Sequence, residues 1–343
     1  MRHINIPVFI PHLGCPNQCV FCNQHTISGV SDFDPNSVRD IIDEALSTVN
    51  VEDDVEIAFF GGSFTGIDRE LMIYLLEIAN SYVLRGSVRS IRCSTRPDYV
   101  DEEIVGILKK YNVCVVELGL QSVSNEVLEI TKRNHSFSDE ERACRLITEA
   151  GITLVGQMMI GLPGATIETE LETARFIINE GAVAARVYPT VVFRDTELCS
   201  MSVCGSYTPL SLDEAVERTA KVVSLLRRSD VKVIRVGLCS SDNLSAEDTY
   251  FAGPNHPALG ELVENRIYYD VISDKLKEIS LDSETVVEIY IPRGALSKAV
   301  GQKKRNKFLL IESFGIKDAV FIESDVLSSE EILIVKRKEN KCT

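Results

Sequence analysis

Apolar and polar positions in roughly the first two thirds of the chain follow two alternating periods. Short, mostly apolar runs recur at Ile6–Ile10, Val55–Phe60, Val88–Cys93, Val113–Leu118, Ile152–Ile160, Ala182–Tyr188 and Val231–Val236. Between them lie segments whose apolar residues return every three or four positions, the spacing of one helix face. Val38–Val49 is an example, with Ile41, Ile42, Ala45, Leu46 and Val49 on one side. Glu70–Leu84, Asp101–Tyr111, Asn125–Thr131, Ser138–Ala150, Thr166–Glu180 and Leu212–Arg228 read the same way. Ser138 and Glu141 form a Ser-x-x-Glu capping signal at the head of Ser138–Ala150. Apolar strands alternating with helices, in units of roughly 30 residues, predict an α/β fold with a parallel sheet sheathed by helices. Six or seven such units predict a partial (β/α)6-type parallel barrel, with its site at the C-terminal ends of the strands. Gly61-Gly62-Ser63, Ser94–Pro97, Gly119–Ser122 and Gly161–Gly164 are turns at those ends.

The pattern weakens after residue 240. Pro254, Asn255, His256 and Pro257 read as a connecting loop, followed by a helix over Ala258–Ile279. A small module then follows: strand Thr285–Ile291, short helix Ala295–Val300, turn Gly301–Lys304, helix Arg305–Ser313, and strands Ala319–Glu323 and Ile332–Val335. The expected division is a barrel over 1–240, a connector over 241–282 and a small C-terminal domain over 283–343.

Composition narrows the class. Of 343 residues, 45% are apolar and 25% charged, values of a globular protein rather than a disordered or fibrous one. No apolar run approaches the ~20 residues of a membrane span, so no membrane partner is expected. The apolar start, Ile4 to Leu13, is broken by Pro7, Pro11 and His12, and no small-residue cleavage site follows. The net charge of −15 argues against indiscriminate nucleic-acid binding over the whole surface. Ten cysteines with no export signal predict a reducing, cytoplasmic compartment, where clustered thiols bind metal or do chemistry.

One such cluster is compact. Cys15, Cys19 and Cys22 fall within eight residues, directly after the first strand, at Cys-x3-Cys-x2-Cys spacing. A loop of that length can bring three thiolates to one metal centre. A four-iron cubane needs four ligands, and three cysteines leave one iron open to a non-protein ligand. A structural zinc site completed by His12 or His25 is the alternative. The remaining cysteines carry less information. Cys93, Cys114, Cys144 and Cys239 read as buried structural thiols. Cys199 and Cys204 could serve an auxiliary cluster. His135 and His256 read as loop or helix-end residues rather than ligands.

A Cys-x3-Cys-x2-Cys loop after the first strand of a repeating β/α chain resembles the signature of the radical S-adenosylmethionine (SAM) superfamily. The resemblance implies a 4Fe-4S cluster at Cys15, Cys19 and Cys22, with SAM on the open iron. It also implies reductive cleavage of SAM to a 5′-deoxyadenosyl radical, with ferredoxin or flavodoxin as the kind of electron donor. Phe21 resembles the aromatic beside the adenine, and Gly61, Gly62 and Ser63 the turn that meets the SAM amino group. Cys93–Tyr99 and Gly119–Ser122 look like the Elongator catalytic-subunit branch and its oxygen-independent coproporphyrinogen-oxidase cousins. There a glutamine and an arginine twelve residues later contact SAM, as Gln121 and Arg133 are spaced here. Ser94 stands where the cousins carry an acid, and Gln157 where the porphyrin-forming relatives have aspartate, and the resemblance implies both as further cofactor-binding residues. Gly161–Gly164 resembles the turn bordering the adenine. The Elongator relatives carry an acetyltransferase domain, for which this length leaves no room beside the barrel, so that activity is not expected to carry over.

The bulk charge hides one basic segment. From Pro292 to Ile311 the chain has Arg293, Lys298, Lys303, Lys304, Arg305 and Lys307 and no acid. Helix, glycine-led basic turn and helix between strands resemble a KH RNA-binding core, with Lys304 in place of the second glycine of Gly-x-x-Gly. Lys298, Lys303, Lys304 and Arg305 are therefore the candidate RNA-binding residues, and a tRNA base the expected substrate. The rival readings are a radical SAM oxidoreductase acting on a porphyrin-type small molecule and a zinc-stabilised RNA-binding scaffold.

Overall fold

The computed structural model describes residues 2–10, 13, 15, 19–23, 33–238, 249–328 and 331–337. Two compact units divide the chain: residues 1–212 with 225–255, and residues 213–224 with 256–343.

The first unit is built on seven parallel strands: β1 (His3–Ile10), β2 (Asp54–Gly61), β3 (Ser90–Thr95), β4 (Val113–Gln121), β5 (Thr153–Ile160), β6 (Ala184–Pro189) and β8 (Lys232–Val236). They pair in the order β1-β2-β3-β4-β5-β6-β8, and β1 does not pair with β8. The sheet is thus an open, partial barrel, as the periodicity predicts. Helices α1 (Val38–Leu46), α2 (Arg69–Leu84), α3 (Glu102–Lys110), α4 (Asn125–Ile130), α5 (Phe137–Glu149), α6 (Ile167–Asn179) and α8 (Leu212–Arg228) fall between the strands in sequence, although residues 213–224 of α8 belong to the second unit. Their starts are set locally. Asp68 Oδ1 accepts from the amides of Glu70 and Leu71 at 3.1 and 3.0 Å, and Asp101 Oδ1 from Ile104 at 2.8 Å. The cap of α5 differs from the expectation. Ser136 caps it, and Asp139 Oδ2 accepts from the Ser136 amide at 2.9 Å, so Ser138 and Glu141 lie inside the helix. The apolar pattern also missed two short features. These are the helix α7 (Glu197–Val203) and the antiparallel pair β7 (Val192–Phe193) with β9 (Tyr250–Ala252), all too short to show a period.

The parallel strands pack apolar side chains outward against the helices. Inside the curve they carry an apolar layer of Val115, Val155 and Ala184 with Ile234 against it. Above that layer comes a charged one. Glu117 on β4 is fully buried and accepts from Arg92 Nη1 at 3.0 Å, Gln157 Nε2 at 2.9 Å and Arg186 Nε and Nη2 at 2.6 and 3.0 Å. Glu56 on β2, also fully buried, accepts from Arg92 Nε at 2.8 Å and from Ser90 Oγ and Arg89 Nη2. Burial works against the Glu56 charge, but Ser90, Arg92 and Arg89 hold its carboxyl below the usual range.

In the second unit, β10 (Val286–Pro292) is central, parallel to β11 (Asp318–Ser324) and antiparallel to β12 (Leu333–Lys336). Helices α9 (Leu259–Lys277), α10 (Leu296–Val300) and α11 (Arg305–Phe314) belong to it. Ile272 and Leu276 of α9, Val287, Ile289 and Ile291 of β10, and Leu310 of α11 form its core. No helix among the described residues is long and apolar enough to cross a membrane.

Candidate functional site

Because the strands run parallel, their C-terminal ends share one rim, and the expected site residues gather there. The cysteine loop leaves the end of β1. At that point Gly61 closes β2 with φ +111°, and a Cβ on it would lie 2.8 Å from the Ile10 carbonyl oxygen. Only glycine lets β2 end this close to the root of the loop. Gly62 donates its amide to the same carbonyl at 3.0 Å, and Ser63 is buried beside it.

Cys15, Cys19 and Cys22 all lie in this loop and none is disulfide-bonded. The Cys22 amide donates to the Cys19 carbonyl at 2.9 Å, closing a tight turn between the two residues. The middle of the loop is tied from both directions: Val20 N donates to Thr131 O at 3.2 Å, and Leu198 N donates to Val20 O at 2.8 Å. Burial pushes the Cys22 thiol up to about 12, with the sulfurs of Cys19 and Cys15 adding to the rise and Arg133 and Arg96 opposing it. Three thiols near enough to repel one another as thiolates, with two cations facing them, form a donor set that suits a cationic iron cluster. No three His, Cys, Asp or Glu side chains among the described residues are placed to hold one ion. A cubane asks for something different, since each of its cysteines binds a separate iron. His12 and His25, which the zinc reading requires, lie outside the described residues.

Two arginines converge on Cys19. Arg133 Nη1 donates to the sulfur at 3.5 Å and Arg96 Nη1 at 3.7 Å. Arg133 Nη2 also donates to Gly119 O at 2.5 Å, while its Nε is buried with no partner among the described residues. Gln121 sits at a break in the β4–β5 register with φ +70°. Its Oε1 is a second orphaned buried atom. Both side chains border Gly119, where an added Cβ would lie 3.1 Å from Gln121 Nε2 and 3.6 Å from Arg133 Nη2. An unpaired buried acceptor and an unpaired buried donor, on two side chains that both border Gly119, fit a zwitterionic ligand such as an amino acid moiety.

The other expected residues fall into separate groups. Ser94 and Gln157 meet through a 3.4 Å contact, and both belong to the charged layer around Glu117 rather than to the cysteine loop. Phe21 packs on the apolar cluster of Val20, Val192, Leu198 and Tyr207. At the Gly161 turn, Tyr207 Oη donates to Gly161 O at 2.6 Å. Cys93 and Cys144 are buried as expected, whereas Cys114, at the start of β4, is exposed. Cys199 is half-buried and Cys204 exposed, and Cys239 lies outside the described residues. His135 is a loop residue, yet its side chain is fully buried, 3.0 Å from Glu140 and 3.7 Å from Asp98.

In the second unit, the turn between α10 and α11 is held from below. Asn306 Nδ2 donates to Asn265 O and Ala299 O at 2.7 and 3.0 Å, and Asn265 Oδ1 accepts from the Gln302 amide at 3.1 Å. Gly301 has φ +78° and no room for a side chain, its Cβ position lying 3.0 Å from Asn306. Lys303 and Lys304 follow with φ of +51° and +62°, both exposed and with no ion pair among the described residues. Arg305 pairs with Asp213 at 3.1 Å and Lys298 with Glu264 at 3.7 Å, both at the surface.

Comparison with known proteins adds the deciding observation. The radical SAM superfamily profile matches residues 9–177, and the radical SAM C-terminal domain profile matches residues 183–269. The chain belongs to the radical SAM superfamily. It is accordingly an enzyme of the class that uses a 4Fe-4S cluster and SAM. It is 27% identical over 216 residues to the tRNA uridine(34) acetyltransferase of Methanocaldococcus infernus, an overlap of 57% of this chain and 40% of that protein. It is 24% identical over 257 residues to human Elongator complex protein 3, covering 63% of this chain and 47% of the relative. The chain thus spans less than half the length of these two relatives. The structure of M. infernus Elp3 superposes with a TM-score of 0.62 at 23% identity, over 80% of this chain and 63% of that one, so the fold is shared.

Sequence reasoning missed Glu117 and its two arginines, and it quoted Arg96 without giving it a role. Two signals were present: Glu56 and Glu117 each interrupt an otherwise apolar strand. A charge inside a buried strand implies a partner on a neighbouring one.

Proposed function

We propose that this radical SAM enzyme modifies a base of an RNA, with tRNA as the first substrate to try. When bound, the cluster and SAM supply a 5′-deoxyadenosyl radical, and the chain's own residues do the holding. In this reading Cys15, Cys19 and Cys22 ligate three irons. Arg133 pairs with the SAM carboxylate and Gln121 accepts from its amino group, which satisfies the two orphaned atoms. The backbone of Gly61, Gly62 and Ser63 borders the amino group, and Phe21 borders the adenine. Ser94 and Gln157, joined to each other and through Gln157 to Glu117, are the further cofactor-binding candidates. A ferredoxin- or flavodoxin-type protein delivers the electron. The observation that carries the cofactor reading is the paired orphans of Gln121 and Arg133 beside a three-thiol loop.

The RNA reading rests on Lys303 and Lys304. They are exposed, have no ion pair among the described residues and stand on a turn fixed by Asn265 and Asn306. Lys298 and Arg305 flank them, each already holding one surface acid that phosphate would displace. The M. infernus relative is a tRNA uridine(34) acetyltransferase, which supports the same substrate class.

The test is anaerobic. The protein is reconstituted with iron and sulfide, its iron is counted, and 5′-deoxyadenosine is followed after reduction and addition of SAM. About four irons per chain, with deoxyadenosine formation lost on Cys19→Ala, is the expected result. tRNA binding should weaken in Lys303→Ala/Lys304→Ala, and its logarithmic salt slope should fall by about two. No RNA binding at low salt, with deoxyadenosine release stimulated by a small metabolite instead, would overturn the RNA reading.

A further inference from the structure

We infer that Arg96, held by Asp98 and aimed at the Cys19 sulfur, is a positioning residue that eases entry of one electron into the centre held by Cys19. The inference rests on the assignment of Cys15, Cys19 and Cys22 as cluster ligands. Arg96 follows directly on β3 and is 4% exposed. Its Nε and Nη2 donate to the two oxygens of Asp98 at 2.9 and 2.8 Å, a bidentate clamp that fixes the plane of the guanidinium. Nη2 also donates to the Arg133 carbonyl. The remaining nitrogen, Nη1, is directed at Cys19 Sγ at 3.7 Å. Burial works against a charge here, but Asp98, with help from the sulfurs of Cys19 and Cys15, more than offsets it and keeps Arg96 a cation.

The physical consequence concerns charge, not bonding. Reduction adds one electron from a low-potential one-electron donor and breaks no bond. The added negative charge spreads onto the ligand sulfurs. A fixed cation and an N–H donor at one of those sulfurs stabilise the reduced form relative to the oxidised one. The site is buried, so solvent does little to screen the effect. Arg133 also touches Cys19, but its own Nε is one of the two orphaned atoms, so it cannot be altered without disturbing that pocket. Arg96 touches none of those groups except the Arg133 backbone.

The experiment is a redox titration of the reconstituted full chain without SAM. Dithionite is the reductant, and the reduced cluster is read by electron paramagnetic resonance relative to assembled clusters. Arg96→Gln should lower the ratio of reduced to oxidised cluster about tenfold at a fixed poise, which is ~59 mV for one electron. Arg96→Lys keeps a charge and should stay within about threefold of the parent. Normalising to assembled clusters keeps the reading valid where Arg96→Gln holds less iron. Should that variant hold none, Arg96→Lys decides: a ratio within threefold supports the inference, and a tenfold fall overturns it. A parent-like ratio in Arg96→Gln also overturns it and leaves Arg96 a structural residue. A parent protein that assembles no iron–sulfur cluster would instead overturn the assignment of the cysteines.

Discussion

The two units use cations in opposite ways. In the barrel, Arg92, Arg96, Arg133 and Arg186 are mostly buried; the first three are each shared between partners on different strands or loops, and Arg186 grips both oxygens of Glu117. In the C-terminal unit, Arg305, Lys298, Lys303 and Lys304 stand in solvent, with at most one surface acid apiece in an ion pair. A buried charge that loses its partner keeps the full cost of leaving water. An exposed one falls back on solvent and loses almost nothing. The first kind of cation holds a shape; the second is available to a polyanion.

The sharpest way to break this contrast is Glu117→Ala. It strands Arg186 beside an empty position, leaves Arg92 with Glu56 alone, and should destabilise the barrel by about 3–5 kcal/mol in a chemical denaturation curve. A loss below about 1 kcal/mol would mean that water reaches the layer and that the charges are not truly buried. Next comes Asn306→Leu, which leaves the carbonyls of Asn265 and Ala299 without their donor. About 1–3 kcal/mol should be lost from the second unit, with amide exchange at Gln302 speeding up. A smaller effect depends on pH. Burial raises the Glu140 carboxyl well above its ordinary 4.5, so the folded state favours the protonated form. The associated stability is present below pH 4.5 and drains away as pH rises through the folded value. Glu140→Gln should therefore gain on the parent as pH is raised from about 5 to 8, measured by melting temperature. Its neighbour His135 has the opposite sign. Burial first, and then Arg133, lower it to about 3, so stability falls as pH drops below 6.5, and this acid limb should persist in the variant. The smallest effect is Arg305→Ala, which removes an ion pair whose members are 62% and 72% exposed. Stability should move by less than about 1 kcal/mol, while RNA affinity falls at low salt.

The parts of the molecule that were readable in the sequence are those encoded over short stretches. The strands announce themselves as apolar runs, the helices by their 3.6-residue period, and the cysteine loop by spacing alone. Glu117 shows why the rest was hidden. It meets Arg186 only because β4, β5 and β6 lie side by side, a pairing between residues 69 positions apart that no local pattern encodes. The same is true of Arg96 and Cys19, 77 positions apart. Ser136 was passed over for a different reason: its partner is Asp139 rather than the Glu or Gln of the usual capping signal. His135 was placed correctly in a loop, but its burial follows from the fold around it rather than from its neighbours in sequence.

The two backbone bonds of Val20 have a consequence in time. One partner, Thr131, is made soon enough, but the other, Leu198, leaves the ribosome about 180 residues after the cysteines do. At roughly 5–20 residues per second, that is an interval of about 10–35 s. Throughout it the loop lacks the bond that anchors its middle to the later half of the barrel. The three thiols are made well before the residue that ties down the middle of their loop. Three closely spaced thiols on a loop not yet tied down must be kept reduced until the later half of the barrel has been made.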